Sequence, residues 1–186
     1  MSLFLIGPSG VGKSTLKDRL IKDFPNRFEE SISCTTRNPR PGEMDGEHYY
    51  FITEEKFKTN VLNNLFLEWE EVHSRMYGTL NSEVTRIQNA GRIPVFDIDL
   101  KGANSLLTKL KEPKEHVIFI LPEKMEELKT RLRKRSSETE DQINLRLKHA
   151  EWEISQSHQF PNKIINKDLD QTFQELIKIL KNQYVF

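Results

Sequence analysis

The chain has 186 residues and equal numbers of basic and acidic side chains, 28 Lys plus Arg and 28 Asp plus Glu. This length suits one domain with appendages, and the balanced charge gives no overall field to recommend nucleic acid or a membrane surface as a partner. One cysteine, Cys34, excludes an internal disulfide, and no signal peptide or membrane-length apolar run stands out, so we expect a cytoplasmic protein.

A phosphate-binding motif lies near the N-terminus. Residues 7–15, GPSGVGKST, follow an apolar run at 3–6 and precede an amphipathic segment, which predicts strand, tight loop and helix. The spacing is typical of a P-loop, in which glycines let backbone N–H groups surround a phosphate chain. The residues expected to hold the nucleoside triphosphate are Gly10, Val11, Gly12, Lys13, Ser14 and Thr15. Ser14 would also offer its hydroxyl to Mg²⁺, whereas an ordinary glycine-rich turn would need no Lys-Ser pair.

Residues 33–81 predict a small mixed insert inside a larger α/β sheet. Its first part, TTRNPRPGE at 35–43, has the composition of a cationic loop, which is either solvated or functional. The predicted elements that follow are a strand at 48–52, a helix at 53–65 capped by Thr53, and short strands at 66–70 and 76–79.

A second apolar run, IPVFDID at 93–99, predicts a buried strand that ends in carboxylates, although Pro94 is unusual in a central strand. Period-two geometry places Asp97 and Asp99 on one face. Downstream of a P-loop, such an acid is typical of the carboxylate that holds or orients the magnesium shell. We assign Asp97 to this role because it directly follows Val95 and Phe96. The alternative is an acidic cap for the predicted helix at 100–110.

The remaining elements predict an α/β fold with a polar helical hairpin. Strands are expected at 117–121 and 163–166, with a last amphipathic helix at 173–180. Between them, apolar spacing from Met125 and a capping-box pair, Thr139 with Gln142, predict two helices that stand off the core. Alternating strands and helices favour a parallel sheet with right-handed crossovers.

Together these motifs resemble the guanylate kinase family, nucleoside-monophosphate kinases that transfer a phosphoryl group from ATP to GMP. The resemblance runs nearly end to end and rests on residues 7–15, 33–42, 68–69, 77–79, 97–99 and 131–140. It implies a P-loop parallel sheet flanked by helices at 1–32, 82–122 and 159–186. It also implies a GMP-binding insert at 33–81 and a helical lid at 123–158.

The resemblance further implies a role for each matching residue. Residues implied to hold the GMP phosphate are Arg37, Arg40, Tyr49 and Tyr77, with Glu43 positioning the arginines. Residues implied to read guanine are Ser33, Glu68, Thr79 and Asp99. Residues implied to neutralise the transferring phosphoryl group are Lys13, Arg37, Arg131, Arg135 and Arg146, with Mg²⁺ held by Ser14 and Asp97. Asn166 is expected near the adenine of ATP.

Some positions depart from the family pattern, and two other functions stay open. Thr79, Ser136 and Lys167 stand where the family often has Ser, Gly and an acid. The first alternative is a guanylate-kinase-like module that binds a phosphorylated peptide, although such modules typically have a degraded P-loop. The second is a kinase for another small acceptor, such as a pyrimidine monophosphate or ribose bisphosphate. A GTPase would need an Asn-Lys-x-Asp segment, and residues 166–168, Asn-Lys-Asp, match it only in part. We expect GMP and dGMP as acceptors, with no nucleic-acid or membrane partner.

Overall fold

The computed structural model describes residues 1–72, 74–135 and 140–184, without the side chains of residues 72, 134, 135 and 142. Over these residues the core is a parallel sheet ordered β2-β7-β1-β8-β9, and the insert is a mixed sheet ordered β4-β3-β6-β5. The strands are β1 (Leu3–Ile6), β2 (Phe28–Glu30), β3 (Cys34–Thr35), β4 (Tyr50–Phe51), β5 (Phe66–Val72), β6 (Arg75–Leu80), β7 (Ile93–Asp97), β8 (Val117–Pro122) and β9 (Asn162–Asn166). The helices are α1 (Lys13–Asp23), α2 (Glu54–Leu62), α3 (Asn81–Asn89), α4 (Leu100–Leu110), α5 (Met125–Arg135), α6 (Glu140–Gln156) and α7 (Leu169–Gln183). The predicted α/β class is therefore confirmed.

The core sheet is apolar on both faces, as the continuous hydrophobic runs predict. Along β1, Leu3 and Leu5 belong to one buried cluster, and Phe4 belongs to a second cluster on the opposite face. Helices cover both faces, which is the usual condition for a parallel sheet. None of the helices in the described ranges is both long enough and apolar enough to cross a membrane.

Strand β7 ends earlier than the sequence predicts. It stops at Asp97, and Asp99 instead adopts the N-cap position of α4, where its carboxylate accepts a hydrogen bond from the Gly102 amide at 2.8 Å. Pro94 fits in this central strand because Ile93 and Val95 direct their bonding groups toward β2. The Pro94 nitrogen, which carries no hydrogen, therefore faces the neighbouring strand β1. That strand begins only at Leu3, which lies opposite Val95.

The insert has its own small core, built from Cys34, Phe57 and Phe66. Helix α2 begins behind Thr53, whose hydroxyl accepts from the Lys56 amide as predicted. Helix α2 ends at Leu62. Leu65, which the sequence pattern predicted to belong to this helix, therefore lies outside it. The predicted strand at 48–52 is only two residues long, because only Tyr50 and Phe51 lie opposite residues of β3, with the flanking Tyr50 and Ile52 amides supplying the hydrogen bonds.

The helical hairpin packs on the core, so the expectation that it stands off is wrong. Leu128, Leu132, Ile143 and Ala150 are all buried in the same cluster as β1. Their apolar stripe outweighs the hairpin's polar composition, because burial depends on one face of each helix and not on its average. The predicted capping-box pair, Thr139 with Gln142, lies outside the described residues.

Candidate active site

The P-loop takes a backbone path that only glycine tolerates at two positions. Gly7 has φ +134°, and a Cβ atom there would lie 2.2 Å from the carbonyl oxygen of Ile120. Gly12 has φ +107°, and a Cβ atom there would lie 2.5 Å from the side-chain nitrogen of Asn166. Neither approach leaves room for a side chain. The loop is thus packed tightly against the ends of β8 and β9.

Lys13, Ser14 and Asp97 meet at the start of α1. The ammonium of Lys13 donates to the carbonyl oxygens of Gly7 at 2.7 Å and Pro8 at 3.3 Å, and lies 3.8 Å from Asp97 Oδ1. The hydroxyl of Ser14 donates to Asp97 Oδ2 at 2.8 Å. Since β1 and β7 are neighbouring parallel strands, their carboxyl ends place these groups at one edge of the sheet.

Asn166, the last residue of β9, is hydrogen-bonded to the P-loop. Its side-chain amide donates to the carbonyl of Val11 at 2.7 Å and its oxygen accepts from the Thr172 hydroxyl at 3.0 Å. The residue is buried, so both ends of the amide are engaged within the protein. Its place near adenine therefore stays a prediction. Residues 166–168, which match the GTPase segment only in part, have a structural role here, because the Asp168 side chain caps the N-terminus of α7.

The P-loop and the insert face each other across a cleft of about 410 Å³. Predicted site residues that line it are Gly10, Lys13, Ser14, Ser33, Arg37, Arg40, Tyr49, Glu68, Tyr77, Asp97, Asp99 and Arg146. Predicted site residues outside its lining are Val11, Gly12, Thr15, Glu43, Thr79, Arg131 and Asn166. The side chain of Arg135 lies outside the described part of the chain. Residues 33 to 99 and the P-loop thus meet in one place, although they are far apart in sequence.

Arg37 is held in place by an acid and by aromatic rings. Its guanidinium donates to both oxygens of Glu43, at 2.5 and 2.7 Å, and lies 4.9 Å from the Tyr49 ring centre and 5.4 Å from that of Phe51. Glu43 also accepts from the Arg40 amide at 2.7 Å. The hydrogen bonds from Arg37 lower the pKa of Glu43 to about 2. A fixed guanidinium fork of this kind suits bidentate contact with phosphate oxygens.

Two carboxylates, Glu68 of the insert and Asp99 at the start of α4, line the same cleft. Glu68 is 8% exposed, and its Oε1 accepts from the Thr79 hydroxyl at 2.8 Å. Burial, opposed by the bond from Thr79 and reinforced by Asp99, raises the pKa of Glu68. A Cβ atom at Gly102 would lie 3.3 Å from Asp99 Oδ1 and 3.8 Å from Glu68 Oε2. Both carboxylates therefore approach the first turn of α4, and Thr79 acts on the cleft through Glu68.

The hairpin brings two of its arginines to the P-loop. Arg131 donates to the Val11 carbonyl at 3.4 Å, and Arg146 donates to the Ser9 hydroxyl at the same distance. Beneath them, a Cβ atom at Gly10 would contact Leu132 at 3.4 Å. Arg133, by contrast, is exposed and paired with Glu140, as expected of a solvated charge.

Three charged or titratable residues of the cleft were not predicted: Glu70, His149 and Glu153. A signal for two of them existed, because positions 146, 149 and 153 follow helical spacing and share one face of α6. Burial raises the pKa of Glu153. Glu70, on β5, is bonded to Lys101 at 2.8 Å. Nothing in its local sequence separates it from the other glutamates of that strand.

Comparison with known protein sequences gives one consistent family. The chain matches the family model described as guanylate kinase over residues 1–183. A guanylate kinase of Bartonella henselae is 43% identical over 185 residues, which cover 98% of this chain and 80% of that protein. A guanylate kinase of Lawsonia intracellularis is 45% identical over 175 residues, which cover 94% and 81%.

Solved structures give the same family and one more distant likeness. The crystal structure of guanylate kinase from Anaplasma phagocytophilum has a TM-score of 0.74 and 30% identity, and the match covers 100% of this chain and 87% of that chain. The SH3-kinase fragment of tight junction protein 3 has a TM-score of 0.52 at 16% identity, covering 98% of this chain and 56% of that chain. At that identity the second match shows the fold alone.

Proposed function

Since this chain belongs to the guanylate kinase family, we propose that it transfers the terminal phosphoryl group of ATP to GMP, giving ADP and GDP. The observation that carries the proposal is the single cleft in which Lys13 of the P-loop faces Arg37 and Glu68 of the insert. Phosphoryl transfer needs little covalent chemistry from the protein, because it depends on holding two nucleotides in line and stabilising charge. A cytoplasmic location is part of the proposal and rests on the lone cysteine.

On the donor side, the P-loop would hold the ATP phosphates with its backbone amides and with Lys13. The hydroxyl of Ser14 and the carboxylate of Asp97, 2.8 Å apart, form a hard oxygen pair that suits Mg²⁺. Bound Mg²⁺ would supply positive charge to the β- and γ-phosphate oxygens. Asp99 fits this role less well because one of its oxygens already caps α4.

On the acceptor side, Arg37, Arg40, Tyr49 and Tyr77 would hold the GMP phosphate. Glu68 would accept from the N1–H and 2-amino groups of guanine, which adenine does not present as a pair. A buried acceptor left unpaired by the wrong base costs about 1–3 kcal/mol, or roughly 5- to 150-fold in discrimination. Ser33 and Asp99 lie in the same pocket, and Thr79 orients Glu68.

The hairpin would complete the charge around the transferring group. Arg131 and Arg146 already contact the P-loop, and Arg135 lies one helical turn after Arg131. Closure of such a lid excludes water, which would otherwise accept the phosphoryl group in place of GMP.

A coupled assay of ADP formation with ATP and Mg²⁺ tests the proposal. We expect rapid turnover with GMP and dGMP and at least a hundredfold lower kcat/KM with AMP, CMP or UMP. Preference for another acceptor would replace GMP in the proposal. Removal of Mg²⁺ with a chelator should abolish turnover.

A binding module is the second candidate, and the fold likeness to the tight junction protein 3 fragment is the observation that favours it. A module would bind a phosphorylated peptide through the insert and would form no ADP in the same assay. The intact series Gly12, Lys13 and Ser14, with Asp97 bonded to Ser14, favours the enzyme.

A further inference from the structure

One buried carboxylate contacts both places at which the chain passes between the core sheet and the insert. The first passage runs from β2 to β3 through Ser31 and Ile32, and the second enters α3 at Asn81 after β6. Glu83 lies in the first turn of α3 and is only 4% exposed. A charge buried to this degree requires partners, and its partners identify the segments that it holds together.

At the first passage, Glu83 bonds the residue at which the backbone leaves one sheet for the other. The Ser31 amide donates to Val95 of the core at 3.0 Å, whereas the Ser33 carbonyl accepts from Tyr50 of the insert at 2.9 Å. Between them, the Ile32 amide donates to Glu83 Oε1 at 3.3 Å. The amide of this crossing residue is therefore bonded to a side chain and to neither sheet.

Within the insert, Glu83 contacts the back of the strand that faces Arg37. The Tyr50 hydroxyl donates to Glu83 Oε2 at 3.3 Å. Its neighbours Tyr49 and Phe51 point the other way, since the Arg37 guanidinium lies over both rings. Glu83 thus holds strand β4 from one side while the phosphate-binding residues occupy the other.

Within the core, Arg86 anchors the same carboxylate. One of its nitrogens lies 2.9 Å from Glu83 Oε1, and another lies 2.6 Å from Glu29 of β2. Arg92 also bonds Glu29, at 3.0 Å. Because β2 is part of the central sheet, this chain of contacts connects the insert to the scaffold that carries the P-loop.

We propose that Glu83 is a positioning residue that fixes strand β4 and the Ile32 crossing on the core, and so holds the acceptor phosphate site in its binding geometry. The proposal rests on the proposed function, since its kinetic consequence concerns GMP. Glu83 does not line the cleft. Weakening its contacts should therefore impair acceptor binding and spare the donor site, which lies wholly within the core and hairpin.

The sharpest test removes one hydroxyl. Tyr50→Phe loses the bond to Glu83 and keeps the ring in the apolar cluster of the insert. We expect the KM for GMP to rise about 3- to 10-fold, with the KM for ATP and kcat within about twofold of the parent chain. Tyr184→Phe is the matched control, because it also loses one buried hydroxyl bond, to the Ser2 carbonyl in the core. It should lower Tm and leave both KM values unchanged.

A double-mutant cycle and hydrogen exchange complete the test. Glu83→Gln should raise the KM for GMP, and combining it with Tyr50→Phe should add no more than about twofold, because both changes act on the same bond between Tyr50 and Glu83. Exchange of the Ile32 amide, measured relative to the amides of β1, should accelerate about tenfold in Glu83→Gln and not in Tyr184→Phe. The proposal is overturned by an unchanged KM for GMP in Tyr50→Phe, by an equal rise in both KM values, or by unchanged exchange. If the parent chain fails to phosphorylate GMP, the proposed function falls, and the exchange result still decides the role of Glu83.

Discussion

The two sides of the cleft are built in different ways. The P-loop side comes from consecutive residues, 7–15, and acts mainly through backbone groups whose path requires Gly7 and Gly12. The insert side uses side chains from separate elements, such as Arg37, Glu68 and Tyr77, and these approach one another only after folding. A backbone site therefore depends on a short motif, whereas a side-chain site depends on the contacts that orient each group.

Loss of the P-loop lysine should have the largest effect. Lys13→Met removes the one side-chain charge in the loop itself, and we expect kcat to fall about 10²- to 10³-fold. Its free energy of unfolding should change little, because the bonds of the ammonium, to the carbonyls of Gly7 and Pro8 and to Asp97, lie beside the cleft, where water can replace them. Steady-state kinetics and thermal melts measure both quantities. Lys22→Met, on the exposed side of the same helix, is the control, and similar losses in both variants would contradict the assignment.

On the insert side, removal of the Glu68 charge should alter selectivity more than rate. Glu68→Gln keeps the bond from Thr79 and loses one acceptor for guanine, so kcat/KM for GMP should fall about 100-fold. The KM for ATP should stay within about twofold, which distinguishes the insert from the P-loop. Glu71→Gln, on the same strand and exposed, should leave both parameters unchanged.

The same substitution should stabilise the fold at neutral pH. Because the pKa of Glu68 is raised in the folded state, its ionisation opposes folding at pH values above that pKa. Glu68→Gln should therefore raise Tm at pH 7 by about 2–4 °C, and the gain should vanish below the ordinary carboxyl pKa of 4.5. A lower Tm at pH 7 would show that the carboxylate stabilises this pocket.

A smaller effect is expected for Glu43, which bonds the Arg37 guanidinium and lies outside the cleft lining. Glu43→Gln leaves Arg37 with one acceptor in place of a bidentate pair, so the KM for GMP should rise about tenfold with kcat little changed. Glu47→Gln, an exposed glutamate of the same loop, is the control. A fall in kcat without a rise in KM would contradict a purely orienting role.

The pH dependence of Glu43 has the opposite sign from that of Glu68. Its pKa is lowered from 4.5 to about 2 in the folded state, so ionised Glu43 stabilises the fold above 4.5. That contribution is lost as the pH falls toward 2. The Tm difference between the parent chain and Glu43→Gln should therefore shrink over this interval, and a constant difference would refute the linkage.

The smallest effect is expected for a hairpin charge that does not reach the cleft. Arg133 pairs with Glu140 on the surface, with 50% and 62% of the two side chains exposed. Arg133→Gln should change kcat by less than about twofold, since exposed pairs contribute little. A large loss would show that the hairpin arginines act as one cluster.

This contrast also explains how much of the molecule the sequence could predict. The P-loop and the core strands were predictable because their residues are contiguous and their apolar runs are continuous. The position of Asp97 at the end of β7 could be predicted because it directly follows the apolar residues Val95 and Phe96. The place of Asp99 was harder, since a strand end and a helix cap have the same local composition, and only the backbone turn after Asp97 separates them.

The hairpin shows what could not be predicted. Its charge content suggested a segment away from the core, yet Leu128 and Leu132 pack against the bare backbone of Gly10. The surface that receives them is formed in part by a glycine 118 or more residues earlier in the chain. Likewise, Glu83 is an ordinary helix glutamate in sequence, and its partners Ile32 and Tyr50 come from segments joined only by the fold.

The central position of β1 has a consequence for biosynthesis. Leu3 pairs with Val95 and Phe4 with Val117, so the strand that carries the P-loop must wait for both neighbours to be translated. At about 5–20 residues per second, the wait lasts roughly 6–23 s. During that time its apolar side chains are exposed on the nascent chain, and such long-range pairing gives the core a high contact order. We therefore expect the core sheet to close late in translation, with chaperones protecting β1 until β8 has emerged from the ribosome.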